Sequence, residues 1–150
     1  FIQPCNGDKL ETLQMQPIQK SGVQGDNNIL IVDPNEKRSH LIMTVVKKMG
    51  YGAVIFSTSR KALEAFSLEP EKFKMVMVHH SIEEMRPKEF VTQVIKTDHT
   101  IPVVIDIGYK NQAVKNELSA WFSEEKSVYL TPVILRELSK TIENLMKKSV

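Results

Sequence analysis

The sequence predicts an α/β fold, a parallel five-stranded sheet of order 2-1-3-4-5 with helices on both faces. Three observations predict it. Five short apolar runs alternate with five stretches whose apolar residues recur at helical spacing. The connections between them are short, and parallel strands need crossovers of this kind. The three densest runs, 29–32, 75–78 and 102–105, are the ones that right-handed crossovers in this order place in the interior of the sheet.

Each element follows in turn. Ile29-Leu30-Ile31-Val32 is a β-branched run ended by Asp33 and Pro34, and predicts the first strand. Leu41, Ile42, Val45, Val46 and Met49 mark one face of the first helix, with Gly50 placed for a C-terminal cap. Ala53–Phe56 is the second strand. Thr58 or Ser59 caps the second helix, which faces inward through Ala62, Leu63 and Phe66 and closes at Pro70. Met75–Val78 is too short for a helix and suits a strand buried on both faces. It ends abruptly at His79 and His80. Pro87 suits the first turn of the third helix, with Phe90, Val91, Val94 and Ile95 inward. Pro102–Ile105 is the fourth strand, ending at Asp106. The fourth helix starts near Asn111 and carries Val114, Leu118, Trp121 and Phe122. Val128–Leu130 is the fifth strand. Thr131 as N-cap and Pro132 at the first helical position then open the last helix, with a stripe of Leu135, Leu138, Ile142, Leu145 and Met146.

The totals set bounds on function. The chain of 150 residues is expected to hold one domain, spanning 28–148, preceded by a polar, Gln-rich linker or tail over 1–27. A net charge of +2 is too small to argue for nucleic acid or an anionic membrane. The single cysteine, Cys5, excludes an internal disulfide framework and a cysteine-based zinc site, in keeping with a cytoplasmic location. No run approaches the roughly 20 apolar residues of a membrane span, so no membrane contact is expected of this domain. The start at Phe1 lacks both an initiator Met and a signal-peptide pattern, and reads as a piece of a longer protein.

In an open α/β sheet, chemistry collects where the strands end at their carboxyl edge. Here that edge carries Asp33, His79, His80 and Asp106. Imidazole suits zinc, copper or nickel, so Asp33, His79 and His80 are candidate metal ligands, with Glu83 or Glu84 able to complete a set. Adjacent strand residues point to opposite faces, so the two histidines meet at one ion only if the strand ends between them. Protonation near pH ~6.5 would change the charge on the following loop.

Several segments together give the chain a family resemblance. Ile29-Leu30-Ile31-Val32-Asp33, Met49-Gly50-Tyr51, Ala62-Leu63, Met85, Ile101-Pro102-Val103-Val104 and Tyr129-Leu130-Thr131-Pro132 stand in an order and spacing that resembles the receiver domain of two-component response regulators, from Asn28 to the end. The resemblance implies a flavodoxin-like (βα)5, doubly wound three-layer sandwich. It also implies a site. A receiver takes a phosphoryl group onto an aspartate at the end of its third strand. A magnesium ion held by that aspartate and an acidic pair after the first strand offsets the converging negative charge. A hydroxyl after the fourth strand and a lysine after the fifth contact the phosphoryl oxygens.

Carried across residue by residue, these parts are replaced. The acceptor position is His79, and the acidic pair is Asp33 followed by Pro34. The hydroxyl position is Ile107, the lysine position is Thr131, and Ile82-Glu83 stands where Met-Pro is usual. The resemblance is therefore to a pseudo-receiver, without cofactor and without catalysis, that regulates through a protein partner in two-component signalling. Reuse of the altered pocket for a small ligand or transition metal, and residual phosphotransfer, are the alternatives.

In the family, the usual partner surface is the face made by the fourth helix, fifth strand and fifth helix. That makes Trp121 and Phe122 interface candidates, joined by Tyr129, which matches a position where the family often has an aromatic switch residue and which is expected here to keep one rotamer. The opening Phe1-Ile2-Gln3-Pro4 resembles the end of a histidine-kinase ATP-binding domain, so a kinase domain in the same chain or complex is an expected partner.

Overall fold

A computed structural model describes residues 25–148. The expectations for residues 1–24 lie outside the described residues. The strands are β1 (Asn28–Val32), β2 (Gly52–Phe56), β3 (Phe73–His79), β4 (Val103–Asp106) and β5 (Val128–Thr131). They form one parallel sheet in the order β2-β1-β3-β4-β5, as the sequence predicts. The helices are α1 (Glu36–Lys48), α2 (Ser59–Leu68), α3 (Pro87–Thr97), α4 (Gln112–Phe122) and α5 (Leu138–Lys148). No helix among the described residues is long and apolar enough to cross a membrane.

The strand period of two divides the interior into two cores. Leu30, Val32, Val76, Val78, Val103 and Ile105 face α2, α3 and α4, where Phe66, Phe90 and Phe122 are buried. Ile29, Ile31, Met75, Met77 and Val104 face α1 and α5, against Ile42, Val46, Leu138 and Ile142. β1 and β3 are thus covered on both sides, which is why their sequences are apolar without alternation.

The caps follow the sequence in part: Thr58 stands at the N-cap of α2, but its side chain makes no cap hydrogen bond. Asn35 Oδ1 accepts the Arg38 N–H at 2.9 Å and starts α1. Gly50 stops that helix in a left-handed conformation, φ 95°. Pro87 opens α3. At the amino edge, the buried Asn28 side chain donates to Gly25 O and Lys72 O, and a Cβ at Gly52 would collide with its Oδ1.

The last helix differs from expectation. Thr131 is the final residue of β5 and not an N-cap, and α5 begins at Leu138 after a 3-10 turn over Leu135–Glu137. The Val133 N–H is taken by the Asp106 carboxylate at 3.1 Å, and Ile134 is extended (φ −110°, ψ 115°). The chain therefore runs on past Pro132 before it can coil, and Leu135 is left partly exposed.

Candidate functional site at the carboxyl edge of the sheet

The pairing register builds the site. Val32 pairs with Val78 and Val78 with Ile105, so the next rung of the sheet is Asp33, His79, Asp106 and Thr131. By alternation all four side chains belong to the side of α1 and α5. Ile107 belongs to the other side and is buried in the α2–α4 core. Asp33, His79, Asp106 and Thr131 therefore do come together, whereas Ile107 offers the pocket nothing polar and Pro34 is exposed beside it.

Asp33 is only 3% exposed, and a buried carboxylate needs partners. It has three. Arg38 Nε donates to Oδ2 at 2.6 Å, Arg38 Nη2 donates to Oδ1 at 2.7 Å, and the Asn35 N–H donates to Oδ1 at 2.8 Å. The guanidinium is held as a fork on the carboxylate, the strongest geometry available to such a pair. Its pKa is raised, first by the hydrogen bond to Asp33 and further by the charges of Asp33 and Asp106, against the opposing effect of burial. Arg38 thus brings a fixed positive charge into the acidic end of the rung. Sequence reasoning misses it, because a spacing of five residues across a helix start is not a same-face pair on one helix.

His79 is the buried last residue of β3. Its Nδ1 lies 2.7 Å from Ser81 Oγ and 3.2 Å from the Ser81 backbone nitrogen. A backbone N–H can only donate, so Nδ1 accepts and the ring proton sits on Nε2. Burial lowers the His79 pKa, and Arg38 and His80 lower it further, while Asp106 and Asp33 pull it upward. The strand does end between the histidines, and their rings lie side by side with centroids 4.6 Å apart. Even so, no group of three His, Cys, Asp or Glu side chains among the described residues is placed to hold a metal ion.

Asp106 is also buried, and its side-chain hydrogen bonds fall on one oxygen. Its Oδ1 accepts the Gly108 N–H at 3.0 Å and the Val133 N–H at 3.1 Å, and its carbonyl accepts the His80 N–H at 2.9 Å. Thr131 Oγ1 turns to the Pro132 carbonyl at 3.2 Å.

A groove of about 590 Å³ lies between α4, β5 and α5, lined by Lys115, Ser119, Tyr129, Thr131 and Thr141 among others, with Phe122 in its wall. The aromatic pair expected there separates. Phe122 is 5% exposed and belongs to the core. Trp121, 51% exposed, turns toward α3: its Nε1–H donates to Thr92 Oγ1 at 3.2 Å, and Lys88 Nζ lies 3.7 Å from the ring centre. Neighbouring helix residues are about 100° apart around the axis, so only one of the two can face inward. Tyr129 is half-buried against the α1–α5 core, with Lys148 Nζ 5.9 Å from its ring centre.

No protein-family model matches the chain, and no curated protein sequence matches it. Solved structures do. The chain is similar to a response regulator receiver domain protein from Clostridium thermocellum, with a TM-score of 0.69 and 20% identity over 81% of this chain and 95% of that one. It is similar to a CheY-like receiver domain protein from Methanospirillum hungatei JF-1, with a TM-score of 0.68 and 21% identity over 82% and 95%. It also matches the signal receiver domain of a signal transduction histidine kinase from Syntrophus aciditrophicus, with a TM-score of 0.66 and 17% identity over 81% and 91%. At these identities the likeness establishes the receiver-type fold.

Proposed function

We propose that this domain is a receiver-like regulatory module of two-component signalling that acts through protein contact and takes no phosphoryl group. One observation carries the reading: the carboxylate left after β1 is already neutralised by Arg38 in a bidentate pair, with a histidine in the acceptor slot beside it. An aspartyl phosphorylation site needs a nucleophilic carboxylate and a cation free to meet incoming phosphate oxygens. Here Arg38 is bound to Asp33, and the acceptor position holds an imidazole in place of a carboxylate. His79 is no substitute acceptor, because its Nδ1 is engaged by Ser81 and its ring is buried. No catalytic residue is assigned. The working surface is the groove between α4, β5 and α5, and a histidine-kinase domain in the same chain or complex is the partner the reading favours.

The test is to add beryllofluoride or acetyl phosphate with magnesium and follow amide NMR shifts. The expected result is no saturable change at residues 33, 79 and 107. Saturable shifts centred there would overturn the reading.

A further inference from the structure

Trp121 is the half-exposed aromatic residue that the groove beside β5 does not use. It lines a second groove, of about 400 Å³, formed by α2, α3, the loop before α3 and the end of α4. Leu63, Met85 and Trp121 are the apolar part of its lining. The indole is held in place before any contact is made. Its Nε1–H is bonded to Thr92 Oγ1, and the Lys88 ammonium lies 3.7 Å from its ring centre. Met85 is fixed as well, because its N–H donates to the buried Ser59 Oγ at 2.9 Å. A large ring already set in one orientation loses little freedom on binding, and tryptophan is among the residue types most enriched where binding energy concentrates.

Charge decides what this groove can meet. Its lining carries two cations, Arg60 and Lys88, and two anions, Glu84 and Glu89, all four exposed. Among the described residues none of the four forms an ion pair: Lys88 lies over Trp121, and the Glu89 carboxylate takes the Arg86 N–H. A strongly acidic partner would set like charge against Glu84 and Glu89, and a strongly basic one against Arg60 and Lys88. A second copy of the chain meets neither difficulty. About a two-fold axis a patch meets itself, so it must carry both signs in balance around an apolar centre, as this one does. We propose that the Trp121 groove is a self-association surface, at which two copies of this chain pair about a two-fold axis, with the cations of one copy facing the anions of the other and both indoles buried between them. This surface is separate from the groove between α4, β5 and α5, so pairing stands or falls independently of any partner bound there.

The test is sedimentation equilibrium of the full chain from about 10 μM to about 1 mM, the span in which small transient interfaces dissociate. Trp121 is the only tryptophan, so its emission reports burial of the ring in the same samples. The expected result is a concentration-dependent rise toward twice the monomer mass, with a blue shift of the emission. Trp121→Ala is expected to weaken pairing at least about thirtyfold, as the loss of a central aromatic anchor does. Charge reversal gives the specific check. The double variant Arg60→Glu, Lys88→Glu leaves the groove wholly acidic, and Glu84→Lys leaves it mainly basic while sparing the cap that Glu89 makes on α3. Each alone is expected to stay monomeric, and an equimolar mixture to form a mixed dimer. A chain that stays monomeric over the whole range overturns the proposal, whether its indole is exposed throughout, which leaves the groove to a different partner, or shielded throughout, which marks a segment of the same chain as the occupant. A dimer that keeps its strength in Trp121→Ala, or charge-reversed variants that pair alone as well as mixed, overturns this groove as the contact.

Discussion

Arg38 is the residue on which the site turns. Without it, a 3%-exposed carboxylate at the end of β1 would keep the Asn35 N–H but lose its counter-charge. Arg38→Ala is expected to destabilise the fold by about 1–3 kcal/mol in urea denaturation, below the full cost of breaking a buried pair because the guanidinium is a third exposed. Arg38→Lys should recover only part of that, since an ammonium cannot fork onto both oxygens. His79 sets a pH dependence. Its pKa in the fold lies below the ordinary imidazole value, chiefly through burial. Below about pH 6.5 the unfolded chain therefore binds a proton that the folded chain resists. Stability is expected to be fully present above that pH and to fall as the pH drops toward the folded value. Urea midpoints between about pH 5 and 7 should show this slope, and His79→Gln should flatten it. A slope of the same size in the variant would assign the effect elsewhere.

At the scale of elements, local chemistry made most of the fold legible. The proline signals that end β1 and open α3, and the start of α4 near Asn111, act within a few residues, so a linear reading finds them. Asp33 and His79 were legible for the same reason, as the polar ends of apolar runs. Arg38 and the Asp106 bonds were not, because each depends on where a loop returns in space. The start of α5 was misplaced on that account: Thr131-Pro132 has the local look of a helix start, and a bond from Val133 to a carboxylate on β4 overrides it. The loop before α3 shows a similar long-range demand. Ser59 Oγ, fully buried on α2, donates to Glu83 O at 2.6 Å and accepts the Met85 N–H at 2.9 Å. This grips the chain on both sides of Glu84, which is exposed and held at φ 66°. Glu84→Gly is accordingly expected to stabilise the protein by about 0.5–1 kcal/mol, seen as a higher melting temperature, because relief of the left-handed strain outweighs the freedom glycine adds to the unfolded chain. A lower melting temperature would show that the glutamate side chain contributes something its exposure does not suggest.

At the scale of the molecule, the sheet separates two cores and presents one polar rung where they end. The fold supplies the rung and the sequence decides its chemistry. Across it, Arg38 neutralises Asp33, Ser81 engages His79, and Asp106 binds two loops to itself. These polar groups are thus bound by the chain's own atoms, and under the proposed function the groove at the β5 edge is the surface offered to a partner. The most direct measurement of that claim is a titration with manganese as a paramagnetic stand-in for magnesium, read as line broadening of backbone amides. The account predicts no selective broadening at residues 33, 79 and 106. Selective, saturable broadening centred on those residues would show a working cation site at the end of β1 and would contradict it.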